Sequence, residues 1–322
     1  MLGVSGVSVM FGGGLSPDDV GARVSVRHRR PDGVADVVGD LESLDADGLA
    51  IQHSDGSLVV VDSASVVAAR VVGPSPKSAR ELEAVSGRAV PAPEEEWLGK
   101  WWLRAGPGLS LRANSMRALG DPGRPFDDAL AMVGAWYGQR GLPPAVRVVT
   151  GSRIDTELDR RGWPAEPLRS LQTATVASMR RRLDTVRPGS AVRLAAEPSA
   201  AWLGRYREGT ISPSAAATLA AAPEVAFATI SADDLGAPAV AIGRAAVERP
   251  WVGFAAIEVD PAARRQGYSR AVMAALVEWA AGCGATRGYL EVTADNHAAL
   301  ALYASLGFTE HYRYTYRSPP LE

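Results

Sequence analysis

Apolar and polar residues alternate in short runs across the first quarter of the chain. Residues 21–27 and 34–44 follow a two-residue period, the short runs 50–53, 58–61 and 66–72 come after them, and Ser54, Asp55 and Gly56 supply a turn between the third and fourth runs. Alternation at this spacing, punctuated by Asp-Gly turns, predicts five short strands closing a small antiparallel barrel. Arg27, Arg29 and Arg30 form a local basic cluster that fits a solvated turn.

Beyond residue 97 the pattern changes to apolar runs interleaved with segments of helical period. Strands are expected at 101–104, 109–114, 145–150 and 171–176, with helices at 126–140 and 154–161. A longer series follows: strand 192–195, helices 199–208 and 214–221, strands 225–230, 238–247 and 252–259, helix 269–281, strand 288–292, helix 297–306 and strand 312–317. Asp127 and Asp128 fall where a helix dipole favours acid, and Gly162 and Gly307 stop helices. A helix holding Trp136 and one holding Trp279 each precede a strand, a second helix and a glycine, so the two stretches read as a structural repeat.

These patterns divide the chain into a flexible tail at 1–18, a barrel at 19–73, a linker at 74–96, one half at 97–188 and a second at 189–322. The linker opens on Gly73, Pro74, Ser75 and Pro76 and closes on Val90 to Glu96, with one short helix expected near 79–85. The glycine-broken stretch 1–15 has no basic start and makes a poor signal peptide.

Composition narrows the chemistry. Of 322 residues, 47% are hydrophobic and 22% charged, the balance of a soluble globular protein. A net charge of -2 argues against an electrostatic nucleic-acid clamp. Cys283 is the single cysteine, which excludes an internal disulfide and a cysteine zinc site and suits a reducing cytoplasm. No run approaches the roughly 18 apolar residues a membrane span needs, and no metal is expected.

The sharpest local signal is a strand holding Ile257, Glu258 and Val259, followed by Asp260 and Pro261, then Arg264, Arg265, Gln266, Gly267, Tyr268, Ser269 and Arg270 at the start of a long helix. A glycine-containing loop at a helix N-terminus presents free backbone N–H groups and the positive end of the dipole, a ready seat for a phosphate or pyrophosphate.

Arg264 to Ser269 resembles the R/Q-x-x-G-x-G/A signature of the GNAT acyltransferases, departing only where Ser269 replaces glycine or alanine. Leu290, Glu291 and Val292, then Asn296, Ala299 and the run Leu302 to Phe308, match the same family at the expected distances. The tail most resembles bacterial enzymes that acetylate protein N-termini. The whole chain resembles actinobacterial GNAT proteins labelled histone-acetyltransferase-like, with an SH3-like barrel in front and a degenerate GNAT-like half that lacks the loop and is expected to bind no CoA.

The resemblance implies an α+β protein: a mixed-sheet GNAT fold, a degenerate GNAT-like half and a small all-β SH3-like barrel. It implies transfer of an acetyl group from acetyl-CoA to a primary amine, on a protein N-terminus, a lysine or a small molecule. A rival is a non-catalytic acyl-CoA sensor whose barrel recruits a protein partner. The backbone at Ile257 and Val259 would hold pantetheine and polarise the carbonyl, and the loop from Arg264 to Arg270 would hold pyrophosphate. Tyr303 would protonate the leaving sulfur. The implied base is Glu291, with Glu258 second. Asn296 would contact pantetheine or cap the helix after it, beside Ala299.

Overall fold

The computed structural model describes residues 14–53, 57–72, 76–106, 110–184, 192–231 and 238–320. The expected tail at 1–18, the turn at 54–56, the linker's opening at 73–75, the first residue of the strand expected at 109–114 and the boundary at 188/189 lie wholly or partly outside these residues.

Five strands build the N-terminal unit: β1 (Arg23–Arg30), β2 (Gly33–Leu44), β3 (Gly48–Gln52), β4 (Leu58–Asp62) and β5 (Val66–Val71), in the antiparallel order β4-β3-β2-β1-β5. The alternation seen in the sequence is its cause: Val24, Val26, Val37, Leu41, Leu49, Ile51 and Val61 all turn into one buried cluster. This unit rests on the rest of the molecule through Arg287, whose guanidinium meets Asp40 at 3.0 Å.

The remaining elements are α1 (Pro76–Arg88), β6 (Glu94–Leu98), β7 (Trp101–Ala105), β8 (Met116–Ala118), α2 (Phe126–Gly138), β9 (Val146–Val149), α3 (Arg153–Arg160), β10 (Arg169–Thr175), α4 (Val176–Leu183), β11 (Arg193–Ala195), α5 (Ala200–Arg205), α6 (Pro213–Ala220), β12 (Val225–Ile230), β13 (Ala241–Glu248), β14 (Trp251–Val259), α7 (Tyr268–Gly282), β15 (Arg287–Thr293), α8 (His297–Ser305) and β16 (Thr309–Arg317). Their strands form one 11-stranded sheet, β11-β12-β13-β14-β15-β10-β16-β9-β8-β7-β6. Two neighbour pairs are parallel, β14 with β15 and β8 with β9; the other pairs are antiparallel.

The order of the central strands is unusual in one respect. β10 ends the first half in sequence, yet it lies between β15 and β16 of the second. β16 ends the second half, yet it pairs on its other edge with β9 of the first. Each half therefore closes its sheet with the final strand of the other. α4, α7 and α8 cover one face of the second half around Met179, Met273, Leu276 and Phe308. α1 packs on the opposite face at the seam, with Leu82 and Val85 against Leu171, Trp251, Tyr289, Tyr312, Tyr314 and Tyr316.

Two expectations are corrected and one helix is added. The linker at 74–96 contains α1, a 13-residue helix that buries Leu82, Glu83, Val85 and Ser86, and its end forms β6. The short helix expected near 79–85 is thus longer, and proline and acidic content hid its ends and β6, because the contacts that fix them come from distant strands. The strand expected at 109–114 is a turn: Ala113 N and Asn114 N both donate to Ser110 O, at 2.9 and 3.0 Å, and the strand comes later as β8. α4 follows β10 directly; Thr175 caps it by accepting from Ser178 N at 3.1 Å.

Because β10 is the shared neighbour of β15 and β16, residues 189–322 expressed alone should fail to form a cooperative fold. Adding residues 76–188 should restore it. Circular dichroism melting of the two fragments checks this, and a sharp melt from the short fragment would contradict it.

Candidate functional site

The parallel pair β14–β15 holds together only at its start. Pairs run from Trp251 with Arg287 to Phe254 with Leu290, and then the strands part. β14 continues to Val259, paired on its other edge with β13, so the backbone of its last residues lines an open fork. Parallel strands that separate at their carboxyl ends leave a crevice where ligands bind.

A bulge shapes one arm of the fork. Ile242 pairs with Glu258 and Arg244 with Ala255, so Ala256 and Ile257 together oppose Gly243 alone. Ala256 takes φ 54°, a left-handed conformation costly for a residue with a Cβ. The alternation of faces shifts there. Ile257 turns toward Val272 and Leu276 of α7, while Glu258 turns to the other face and accepts from Arg207 N at 3.2 Å.

The loop after β14 ends in Gly267 at φ 87°, which is the N-cap of α7 and makes no side-chain cap bond. A side chain at Gly267 would meet nothing within 4 Å, so the space over the helix start is open. Arg264, Arg265 and Gln266 are exposed beside it, and Arg265 is also left-handed at φ 65°. Tyr268 and Ser269 begin the helix, half-buried. Arg270 is engaged differently: its guanidinium donates to Ser305 Oγ at 3.0 Å and to Arg182 O at 2.5 Å, tying α7 to the ends of α8 and α4. The matching helix of the first half, α2, carries Asp127 and Asp128 in its first turn. Carboxylates already occupy that helix end, which disfavours an anion there.

Across the fork, α8 carries Tyr303, 9% exposed and packed edge-on against Phe308 at 5.9 Å. Burial pushes its hydroxyl up to about 12, with Arg112 acting in the opposite sense. Asn296 caps α8 by accepting from Ala299 N at 3.1 Å, which accounts for both residues structurally.

Glu291 is the first β15 residue beyond the last β14–β15 pair. Its carboxylate lies 2.7 Å from Arg147 and 3.0 Å from Arg112. Burial alone would raise its pKa, but Arg147 and then Arg112 outweigh that and hold it at about 2. Arg147 also meets Glu83 of α1 at 2.7 Å, and Glu83 further accepts from Arg117 at 3.3 Å and from the Tyr312 hydroxyl at 2.6 Å. Burial opposes the ionised form of Glu83, yet Arg147 and Arg117 together keep its pKa below the ordinary carboxylate value. Glu258 behaves in reverse: burial raises it above the ordinary value, against the lowering donated by Arg207.

A family profile described as "Probable histone acetyltransferase Rv0428c C-terminal" matches residues 77–317, and one described as "Rv0428c N-terminal Sm-like domain" matches 18–70. The protein of Mycobacterium tuberculosis named "Probable histone acetyltransferase Rv0428c" is 34% identical over 317 residues, covering 92% of this chain and 94% of that protein. The chain belongs to this family. Over 54 residues, 17% of the chain and 36% of the relative, it is 48% identical to the "[Ribosomal protein bS18]-alanine N-acetyltransferase" of Escherichia coli. The structure of a "GCN5-related N-acetyltransferase from Kribbella flavida" shares the fold, with a TM-score of 0.58 at 16% identity, covering 77% of this chain and 98% of that one.

The protein is thus a GNAT-type N-acetyltransferase with a small Sm-like unit in front. The fork and the uncapped start of α7 both lie beyond the carboxyl end of β14. Sequence reasoning missed the roles of Glu83, Arg147 and Arg112. The available signal was the placement of charge within apolar periodicity: Arg147 interrupts a buried strand and Glu83 falls on the buried side of α1.

In this acetyltransferase, Glu83→Ala would leave Arg147 and Arg117 without their shared carboxylate. Breaking a buried pair of this kind costs roughly 3–5 kcal/mol, readable by chemical denaturation. The acid dependence has a definite sign. A folded-state pKa held below the unfolded 4.5 contributes stability above that value and loses it as pH falls toward about 2. The melting temperature should therefore decline through this window, and Glu291→Gln should flatten the decline.

Proposed function

We propose that the protein moves an acetyl group from acetyl-CoA to a primary amine by direct attack. The open N-terminus of α7 beside the β14–β15 fork carries this reading. An uncapped helix start with room above Gly267 suits a pyrophosphate, and the freed edge of β14 suits an extended pantetheine arm. In this reading Arg264, Arg265, Gln266, Gly267, Tyr268 and Ser269 form the phosphate cradle. Arg270 acts through its ties to α8 and α4.

The amine nitrogen attacks the thioester carbon, the oxygen gains charge, and the carbon–sulfur bond breaks. Backbone N–H groups near Ile257 and Val259 stabilise the oxygen; one such donor is worth ~3–4 kcal/mol. Tyr303 donates its proton to the departing sulfur and is suited to this because burial keeps it protonated at neutral pH. The amine's proton leaves toward Glu258. Glu291, held at about 2, is a weak base whose oxygens are engaged by arginines, whereas Glu258 sits past the bulge with a raised pKa.

The relatives from Mycobacterium tuberculosis and Escherichia coli are named for protein acceptors, which favours a protein amine over a small molecule here. We further propose that residues 97–188 are a degenerate GNAT-like half without a cofactor site, and that the Sm-like unit docks a partner. Cys283, the single cysteine, is consistent with a reducing cytoplasm.

Tyr303→Phe should keep acetyl-CoA binding by calorimetry while turnover, read as free-thiol release with an amine panel, falls about 10²–10⁴-fold. Unchanged turnover would remove Tyr303 as the acid. Gly267→Val should weaken acetyl-CoA binding, since a branched residue resists φ 87°. For the base, log kcat/KM should rise with slope one from the acceptor's own ionisation and steepen to two below the Glu258 pKa. Glu258→Gln should abolish the steeper limb, and its persistence would return the role to another group.

A further inference from the structure

Arg112 stands out among the cations at the seam. It comes from the turn between β7 and β8 in the first half, yet it reaches the fork of the second. Its Nε lies 3.0 Å from Glu291 Oε2 and its Nη2 donates to Glu291 O at 3.4 Å. Because Glu291 immediately follows the last β14–β15 pair, these bonds set the guanidinium at the mouth of the fork. Arg147 and Arg117 of the same cluster are sealed, at 0% and 1% exposure, while the Arg112 side chain is 36% exposed.

The charges do not balance on this face. Arg112, Arg117 and Arg147 share two carboxylates, Glu83 and Glu291. Arg244 lies on the same face and donates to the carbonyls of Leu219 at 2.8 Å and Ala89 at 2.7 Å, with no carboxylate. The surplus is therefore positive, and the exposed member of the set is Arg112. Its field acts on Tyr303 and Tyr206. On the far arm stand Glu258 and the exposed pair Arg207 and Glu208. Glu258 on β14 and Arg112, bound to Glu291 of β15, thus belong to opposite arms of the fork.

We infer that Arg112 is a specificity-determining residue, lent by the first half, that selects acceptors bearing a carboxylate close to the reacting amine. The ammonium end approaches Glu258 and the carboxylate pairs with the exposed part of Arg112. Either the main-chain carboxylate of a free amino acid or an acidic side chain next to a peptide's terminal amine supplies that chemistry. The inference rests on the acetyl-transfer reading for its place in the reaction and deepens it by naming the acceptor class. A lysine-rich tail, with added positive charge near the amine, would be disfavoured.

The test uses the full chain and matched pairs of amines: alanine against alaninamide, and a peptide beginning Ala-Glu against one beginning Ala-Gln. Turnover is read as thiol release from acetyl-CoA, and equilibrium binding of the same compounds is read by calorimetry with CoA present. The wild type should favour the carboxylate member at least about tenfold in kcat/KM, mainly through KM, and the preference should shrink as salt rises. Which pair shows it identifies the source of the carboxylate. Arg112→Gln should bring the ratio of kcat/KM between the carboxylate and neutral members close to one, and Arg112→Lys should restore part of that ratio. No preference in the wild type, or equal loss on both members in Arg112→Gln, overturns the inference. Should Arg112→Gln fold poorly, Arg112→Lys and the salt dependence of the wild type still decide. If no amine is turned over but carboxylate members bind preferentially, acetyl transfer fails and the role of Arg112 stands.

Discussion

A carboxylate buried between guanidinium groups organises the seam of this protein. Glu83 and Glu291 are both removed from water, and neither could remain ionised there without Arg147 between them. Each member comes from a different stretch of chain: Glu83 from α1, Arg147 from β9, Glu291 from β15 and Arg112 from the turn before β8. Moving any of these elements would strand a charge in an apolar layer. The cluster therefore fixes the register of the two halves more strictly than non-directional apolar packing would. The same requirement explains why Glu291, in the position where a base was expected, is so acidic.

The strand order reinforces this. With β10 seated between β15 and β16, and β16 against β9, the two halves share a sheet and a row of tyrosines, Tyr312, Tyr314 and Tyr316, that belongs to the seam. The fork escapes that rigidity because β14 bulges at Ala256 and Ile257 and leaves its neighbour. A stiff centre thus holds the walls of the fork, and the edge of β14 facing β15 is unpaired beyond Phe254.

Much of this was legible in the sequence, for identifiable reasons. The barrel strands were visible because one face is wet, so alternation is preserved. The loop from Arg264 to Ser269, the helix after it and Tyr303 were visible because their chemistry is local and closely spaced. The ends of α1 and all of β6 were not, since a proline- and glutamate-rich stretch looks like a linker until its distant partners are known. The bulge at Ala256 carries no glycine to announce it. The choice between Glu291 and Glu258 depended on arginines more than a hundred positions away in the chain, which spacing along one strand cannot show. The placement of β10 between β15 and β16, and of β16 against β9, leaves no mark on periodicity.

That placement also bears on how the sheet is completed. β16 occupies residues 309–317, near the end of a chain of 322, and its partners β9 and β10 lie well over a hundred residues earlier. Without β16, β9 and β10 each keep an unpaired edge. Contacts of such long sequence separation form slowly and leave sheet edges open to wrong partners. Closing the centre of this sheet is therefore a slow step, open to wrong pairing until β16 is in place.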